Sequence, residues 1–364
     1  MKPVISIICL TTSDCNLDCD YCYVKASYKS RLNLPADLIP ILIKNCSTGF
    51  DSVEFCWHGG EPLLRGREFF ERVISAEKKI RENRKEGIVF RNIVQSNCLL
   101  MTEGLLEFFK LNDFSIGSTF EAPPEVHIRH RHPCSDSGIR EEDYLRIFRK
   151  IKSMGFPLGL LCVVTKDNVN RAREIFNFFR EIGADTYSLL PLIKVASDRI
   201  PEQPSNDELF ELYKETFELW INEENSFGCI EPIDTMMRGL LGDTPRLCTF
   251  ASSCLNKMIT ISPTGDVIPC GSLNGLRLGN IFEAPLASIL NSEETRRLKN
   301  KRQTSISRYC VSKGCEYIPL CRGGCREVAY WNSGQYDGEY YYCESRIKTF
   351  NYLKKRLNSI INTR

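Results

Sequence analysis

Eight residues, Cys15-Asn-Leu-Asp-Cys19-Asp-Tyr-Cys22, constrain this chain more than any other stretch. They follow an apolar, β-branched run, Val4 to Leu10, that reads as the first strand. A C-x3-C-x2-C spacing places three thiolates around one iron–sulfur cube. With no fourth cysteine nearby, one iron is left without a protein ligand. Electron-transfer clusters take four cysteines, and structural zinc sites are likewise closed. Three ligands instead keep one coordination position open for chemistry. The alternative is three buried thiols, since free cysteine packs well in cores. The polar residues between these cysteines mark a loop instead.

Composition narrows the setting. The chain has 364 residues, 42% hydrophobic and 26% charged, as a globular protein with a substantial core requires. A net charge of +2 gives no reason to invoke nucleic acid or a membrane surface. No apolar run reaches transmembrane length. The opening MKPVISIICL lacks a small-residue cleavage site and reads as a strand rather than a signal peptide. The 18 cysteines cluster in short motifs. Without an export signal this pattern fits metal binding in a reducing cytoplasm better than disulfides.

Strand-like and helix-like segments alternate through the first half. Strands are expected at 4–10, 52–57, 88–96, 114–119, 158–164 and 185–192, with helices at 36–45, 67–82, 103–111, 142–154 and 170–182 between them. This is the pattern of parallel βαβ units, and six of them suggest an incomplete barrel. Barrel chemistry gathers on the loops after the strands, where the cysteine loop lies. A Pro/Ser/Asn-rich break at 201–206 precedes an amphipathic helix at 207–222. From Cys248 to Cys343 the chain is rich in cysteine and glycine, with short strands at most, and 344–357 reads as a closing helix.

The cysteine trio, with Tyr21 before its last member, resembles the signature of the radical S-adenosylmethionine (SAM) enzymes. In that family the open iron of a [4Fe–4S] cluster binds SAM, and one electron cleaves it to a 5′-deoxyadenosyl radical. Further motifs resemble the family's SAM pocket. Gly59-Gly60-Glu61-Pro62, at the end of the second strand, resembles the motif for the SAM amino group. Gln95-Ser-Asn97-Cys98 resembles a Gln-Thr-Asn-Gly turn with cysteine in place of glycine, and implies Asn97 on ribose or carboxylate. The segment from Ile116 to Arg131 resembles one carrying hydroxyl and arginine contacts, here Thr119 and Arg131. His58, beside the glycines, is expected to face the pocket, although a structural role stays open. The strand Leu161 to Thr165 is expected in the core.

Eight later cysteines, with the Gly265-x4-Cys270 and Cys321-Arg-Gly-Gly-Cys325 turns, resemble the SPASM domain of peptide-modifying radical SAM enzymes. The resemblance implies two auxiliary [4Fe–4S] clusters. One is held by Cys248, Cys254, Cys270 and Cys325, the other by Cys310, Cys315, Cys321 and Cys343. The family has two residues between the cysteines matching Cys310 and Cys315. This chain has four, and Gly314 is expected to let the longer loop fold back. Zinc is the alternative occupant of a four-cysteine site. The remaining cysteines (9, 46, 56, 98, 134, 162 and 229) are expected mostly to pack.

The implied architecture is a partial (β/α)6 radical SAM barrel over 1–200, a helical linker over 201–247, a SPASM domain over 248–343 and a closing helix over 344–364. The implied function is a cytoplasmic peptide or protein maturase that oxidises a side chain. Its partners would be the substrate and a flavodoxin- or ferredoxin-type electron donor; with no domain for a leader seen before the first strand, a leader-binding partner is either a separate chain or unnecessary. One alternative is an anaerobic sulfatase-maturating enzyme that makes formylglycine; another is a non-catalytic iron–sulfur carrier or zinc-stabilised binding protein. Sulfatase maturases carry an aspartate, the proposed base, directly after the cysteine matching Cys270. Here Gly271 stands there, Asp266 belongs to a turn, and no catalytic base is named.

Overall fold

The structure, a computed structural model, describes residues 4–84, 87–135, 138–195, 199–223, 227–251 and 254–362. The chain divides into two compact units, each built from separated stretches. One comprises Met1–Ser118, His132–Pro157 and Cys254–Lys299, and the other Thr119–Arg131, Leu158–Ser253 and Asn300–Arg364.

In the first unit four strands run parallel: β1 (Val4–Thr12), β3 (Ser52–Gly59), β4 (Val89–Gln95) and β5 (Phe114–Thr119). A three-residue strand, β2 (Leu17–Cys19), lies within the cysteine loop. Side chains alternate along β3, with Val53, Phe55 and Trp57 buried and their neighbours half-exposed, as a strand's two-residue period requires. Helices α2 (Ile39–Ser47), α3 (Gly66–Asn83) and α4 (Glu103–Leu111) fill the crossovers. Thr102 caps α4 by accepting from the Leu105 N–H. Aromatic rings join these helices to the sheet. Trp57 meets Phe69 edge-on at 5.7 Å, and Phe70 meets Phe114 of β5 edge-on at 5.9 Å. A buried polar string crosses this core, from Trp57 Nε1 to Asn92 Oδ1 (2.8 Å) and from Asn92 Nδ2 to Glu77 Oε1 (3.0 Å). Burial pushes the Glu77 carboxyl up to about 7, against the Asn92 and Arg81 contacts.

The free edge of β1 is taken by a strand from the far end of the chain. β10 (Met258–Ile261) pairs with it in parallel, Ser6 opposite Met258 and Cys9 opposite Ile261. β11 (Asp266–Ile268) and β12 (Gly279–Asn280) then continue antiparallel. The opening part of the cysteine-rich region therefore extends the N-terminal sheet, and the compact units do not follow the linear division at 200 and 248.

In the second unit β7 (Gly159–Val164), β8 (Thr186–Pro191) and β9 (Cys229–Glu231) are parallel. Helix α8 (Asn206–Asn222) opens on a Ser205/Glu208 capping box. The closing helix α15 (Cys343–Asn362) packs on α8, with Arg356 bridging Glu218 at 2.6 Å.

All six expected strands form, within two residues of their expected ends. The region after Cys248 departs from expectation, because it contains a 14-residue helix, α12 (Glu293–Ile306). Its buried stripe is Thr295, Leu298, Arg302 and Ser305. Only one of the four is apolar, so no hydrophobic period betrays the helix. Among the described residues no helix is long and apolar enough to cross a membrane.

Candidate functional site

The Cys15–Cys22 loop leaves the C-terminal end of β1, and the first unit places two of the sequence-derived SAM-pocket motifs beside it. The β3 end is fastened to the loop by backbone bonds, Gly60 N–H to Thr12 C=O (2.7 Å) and Glu61 N–H to Asp14 C=O (2.8 Å). The two glycines are needed for this approach. A Cβ on Gly59 would lie 2.3 Å from the Thr12 oxygen, and one on Gly60 would lie 2.0 Å from the Asp14 oxygen. Their absent side chains thus make room for the cysteine loop itself.

Glu61 is fully buried. Its Oε1 accepts from the Leu63 N–H (2.9 Å) and the Ser96 hydroxyl (2.7 Å), and its Oε2 from the Asn97 N–H (2.9 Å). The carboxylate ties the end of β3 to the turn after β4. Asn97 in turn donates from Nδ2 to Asn16 Oδ1 (2.8 Å) and towards Cys15 Sγ (3.9 Å), while its Oδ1 accepts from the Leu99 N–H. Asn97 therefore orders the cysteine loop. Cys98 adopts φ +65°, the left-handed region in which glycine is at ease and other residues lose about 1–2 kcal/mol. The turn keeps a glycine's backbone with cysteine in its place.

Burial pushes the Cys15 thiol well above its usual range, against the Leu17 N–H that donates to it; Cys19, Glu61 and Cys22 add to the rise. Such a thiol loses its proton to a metal rather than to water. Tyr21 is half-buried in the turn that carries Cys22. Tyr23, at the start of α1 (Tyr23–Ser27), meets His58 edge-on at 6.2 Å. His58 Nδ1 accepts from the Gly59 N–H (2.7 Å), so the neutral ring carries its proton on Nε2. The Tyr23 ring also covers Gly271. A Cβ there would lie 2.7 Å from Cε2 and 3.0 Å from the phenolic oxygen. The space of a side chain at 271 is filled by Tyr23.

Cys134 is exposed rather than packed, with its Sγ donating to the Cys15 C=O at 3.4 Å. Cys9, Cys46, Cys98 and Cys162 are buried as expected, whereas Cys56 and Cys229 are half-buried.

Thr119 and Arg131 belong to the second unit. Thr119 is half-buried at the end of β5. The Arg131 fork is engaged by the buried Glu121, Nε to Oε2 at 2.7 Å and Nη2 to Oε1 at 3.0 Å. His127 Nδ1 lies 2.8 Å from the same carboxylate. Burial alone would raise the Glu121 carboxyl, but Arg131 and His127 outweigh it and hold it below the usual range. The fork that the resemblance assigns to a SAM carboxylate thus has a protein carboxylate as partner. The strand Leu161–Thr165 contributes buried Cys162, Val164 and Thr165 to the core.

Cys310, Cys315, Cys321 and Cys343 line one cavity of the second unit, together with Arg326 and Arg346. The two extra residues between Cys310 and Cys315 are absorbed by a π-helical turn, Ser307–Val311. There the Ser312 N–H reaches Ser307 C=O (3.2 Å) and the Cys315 N–H reaches Cys310 C=O (3.1 Å). Gly314 follows at φ +61°. Of the other auxiliary set, Cys254 and Cys270 belong to the first unit; Cys248, which opens α10 (Cys248–Ala251), and Cys325, which precedes α14 (Arg326–Ser333), belong to the second.

Neither Cys15, Cys19 and Cys22 nor the four cysteines of the second-unit cavity are drawn close enough together for a single zinc ion. A tetrahedral zinc with Zn–S near 2.3 Å draws its sulfurs to within about 3.8 Å of one another. Among the described residues, the one group of three ligand atoms within 4.8 Å of each other is Cys229, Glu231 and Asp234. Its carboxylates already serve Thr235 and Arg238.

Comparison with known proteins identifies the kinds of domain present. Residues 9–179 match the Radical SAM superfamily, and residues 248–326 match SPASM, an iron–sulfur cluster-binding domain. The chain is 25% identical to the cysteine-type anaerobic sulfatase-maturating enzyme of Clostridium perfringens strain 13, over 100% of this chain and 99% of the relative. It is 27% identical to the Clostridium novyi cysteine-type enzyme, over 96% and 95%. It is 24% identical to the serine-type enzyme of Bacteroides thetaiotaomicron, over 97% and 90%. The fold superposes on anSMEcpe with bound AdoMet and Cp18Cys peptide at TM-score 0.83, with 23% identity and full coverage of both chains. It also superposes on Streptococcus suis SuiB bound to S-adenosylmethionine at TM-score 0.68, with 16% identity, covering 93% of this chain and 76% of that one.

Proposed function

We propose that this chain, a radical SAM protein with a SPASM domain, oxidises a side chain of a peptide or protein segment, with formylglycine formation on a sulfatase-type sequence as its leading reaction. The observation that carries the enzyme reading is the three-cysteine loop fastened to the Gly59-Gly60-Glu61 strand end. An electron carrier has no use for an open ligand position built into such a loop. The full-length similarity to sulfatase maturases favours formylglycine over the broader peptide-maturase reading.

Cys15, Cys19 and Cys22 would hold the SAM-binding [4Fe–4S] cluster, and the eight later cysteines the two auxiliary clusters. When bound, the first cluster and SAM supply a carbon-centred radical that abstracts hydrogen. The chain's own residues aim and protect that chemistry. Gly59, Gly60, Glu61 and Asn97 stand as candidate SAM contacts, and Glu61 and Asn97 also position the loop through their hydrogen bonds. Tyr21 and Thr119 stand as candidate SAM contacts, and Arg131 as one whose fork is shared with Glu121. An electron donor of flavodoxin or ferredoxin type completes the cycle in a reducing compartment, with a leader-binding protein where the substrate carries a leader.

Gly271 under the Tyr23 ring favours a second reading, modification of a peptide without formylglycine. A base must lie within hydrogen-bond reach of the proton it takes, and a glycine offers none. Anaerobic incubation with cysteine and serine versions of a sulfatase-type peptide, read by mass spectrometry, separates the two. Aldehyde formation supports the leading reaction. 5′-Deoxyadenosine without aldehyde supports the second. The variant with Cys15, Cys19 and Cys22 all changed to alanine should make no 5′-deoxyadenosine; continued production by it would overturn both.

A further inference from the structure

Three arginines are buried in the second unit without a carboxylate. Arg326 is 1% exposed, and Arg302 and Arg346 are each 7% exposed. Among the described residues none forms an ion pair. Arg302 donates to the Arg322 C=O (3.0 Å) and Gly324 C=O (3.4 Å). Arg326 donates to the Gly323 C=O, the Gly338 C=O and the Ser305 hydroxyl. Three further N–H groups, Nε and Nη1 of Arg302 and Nε of Arg326, meet no acceptor. Arg346 donates from Nη1 to the Thr249 C=O (3.0 Å) and to Cys321 Sγ (3.4 Å), and its guanidinium is flanked by Phe250 at 3.8 Å and Tyr340 at 4.3 Å. Glu339 also lines the cavity, but it pairs with Lys313 at 2.6 Å.

A guanidinium does not shed its proton in a protein. Neutral carbonyls satisfy its hydrogen bonds but leave its charge uncompensated, and an uncompensated buried charge is strongly unfavourable. The missing anion is at hand. Arg326 and Arg346 share one cavity with Cys310, Cys315, Cys321 and Cys343, and four thiolates on a [4Fe–4S] core carry net negative charge that grows by one on reduction.

We propose that Arg346, with Arg326 and Arg302 behind it, tunes the second auxiliary centre: these buried charges and the Nη1 bond to Cys321 favour its reduced state and raise its potential. Net charge and hydrogen bonds to sulfur are two of the levers that set such potentials. Arg346 is a positioning residue in this role, acting through the cluster rather than on substrate. The inference rests on the SPASM reading, not on which bond the enzyme makes.

Potentiometric EPR on the reconstituted full chain tests it, with iron counted per chain. In Arg346→Gln with unchanged iron, one centre should fall in potential by 59 mV or more, a tenfold change in its one-electron equilibrium constant. The other centres should stay in place, and Arg346→Lys should lie between Gln and the parent. Should Arg346→Gln lose that centre's iron, retention by Arg346→Lys supports the need for charge, and loss from both variants overturns the proposal. An unchanged or raised potential in an iron-replete Arg346→Gln also overturns it. An iron count in the parent too low for any auxiliary centre would instead sink the cluster reading itself.

Discussion

At the scale of single residues, the chain spends its most distinctive side chains on holding its own loops. Glu61 accepts three hydrogen bonds in a dry setting. Glu61→Gln exchanges one accepting oxygen for an N–H2 that faces the Asn97 or Leu63 N–H. Bonds to a charged acceptor contribute about 1.5–3 kcal/mol each, so the variant should lose about that much stability in chemical denaturation, and an unchanged midpoint would show that the carboxylate does not hold this turn. Tyr23 and Gly271 form a second such pair. Gly271→Asp puts a Cβ against the Tyr23 ring, and overpacking of this kind costs about 1–3 kcal/mol. Tyr23→Ala should relieve it, so a double-mutant cycle should return a favourable coupling above about 0.5 kcal/mol. Additive losses would show that the ring has room to move.

At the scale of elements, α3 and the sheet are joined by the Trp57–Asn92–Glu77 string, and this joint should be sensitive to pH. Glu77 has a folded pKa near 7, above its ordinary 4.5. A raised carboxyl pKa favours the folded state while the group keeps its proton. That contribution is complete below about pH 4.5 and is lost as pH rises through 7. The loss amounts to about 3 kcal/mol at most. Thermal melts of Glu77→Gln, which keeps the acceptor for Asn92, should decline less between pH 5 and pH 8 than those of the parent. Parallel pH profiles for the two proteins would rule the joint out as the titrating element.

The parallel strands were legible because each is a short β-branched run separated from the next by a helix with an apolar face. The three-cysteine loop was legible because its chemistry is written in consecutive residues. α12 was not, because its inward stripe is Thr295, Leu298, Arg302 and Ser305. The Tyr23–Gly271 contact and the purpose of Gly59 and Gly60 depend on which backbones meet, and no local pattern records that. Buried Arg302, Arg326 and Arg346 look in sequence like solvated charge, since arginine seldom goes inside unpaired.

At the scale of the molecule, the two units should respond unequally to loss of iron. The second holds three buried guanidinium groups, two of them lining the cavity of the four thiols, and without iron those charges stay uncompensated. The parallel strands β1, β3 and β4 rest on aromatic and aliphatic packing instead. Anaerobic chelation should therefore speed amide hydrogen exchange in residues 300–362 more than in β3 and β4. Equal acceleration in both would show that the charge is met in some other way.

The pairing of β10 with β1 sets a timetable for synthesis. Ser6 meets Met258 and Cys9 meets Ile261, so the first strand made waits for a partner translated some 250 residues later. At about 5–20 residues per second the wait is on the order of ten to fifty seconds. Throughout it, one side of β1 presents unpaired N–H and C=O groups, a template for pairing with another chain. The cysteine loop hangs from that same strand, ready for iron before its sheet is closed. A ribosome stalled between the two strands would thus hold a nascent chain that is both adhesive and rich in reactive thiols, and slow codons in that interval would lower the yield of active protein more than the same codons after residue 261.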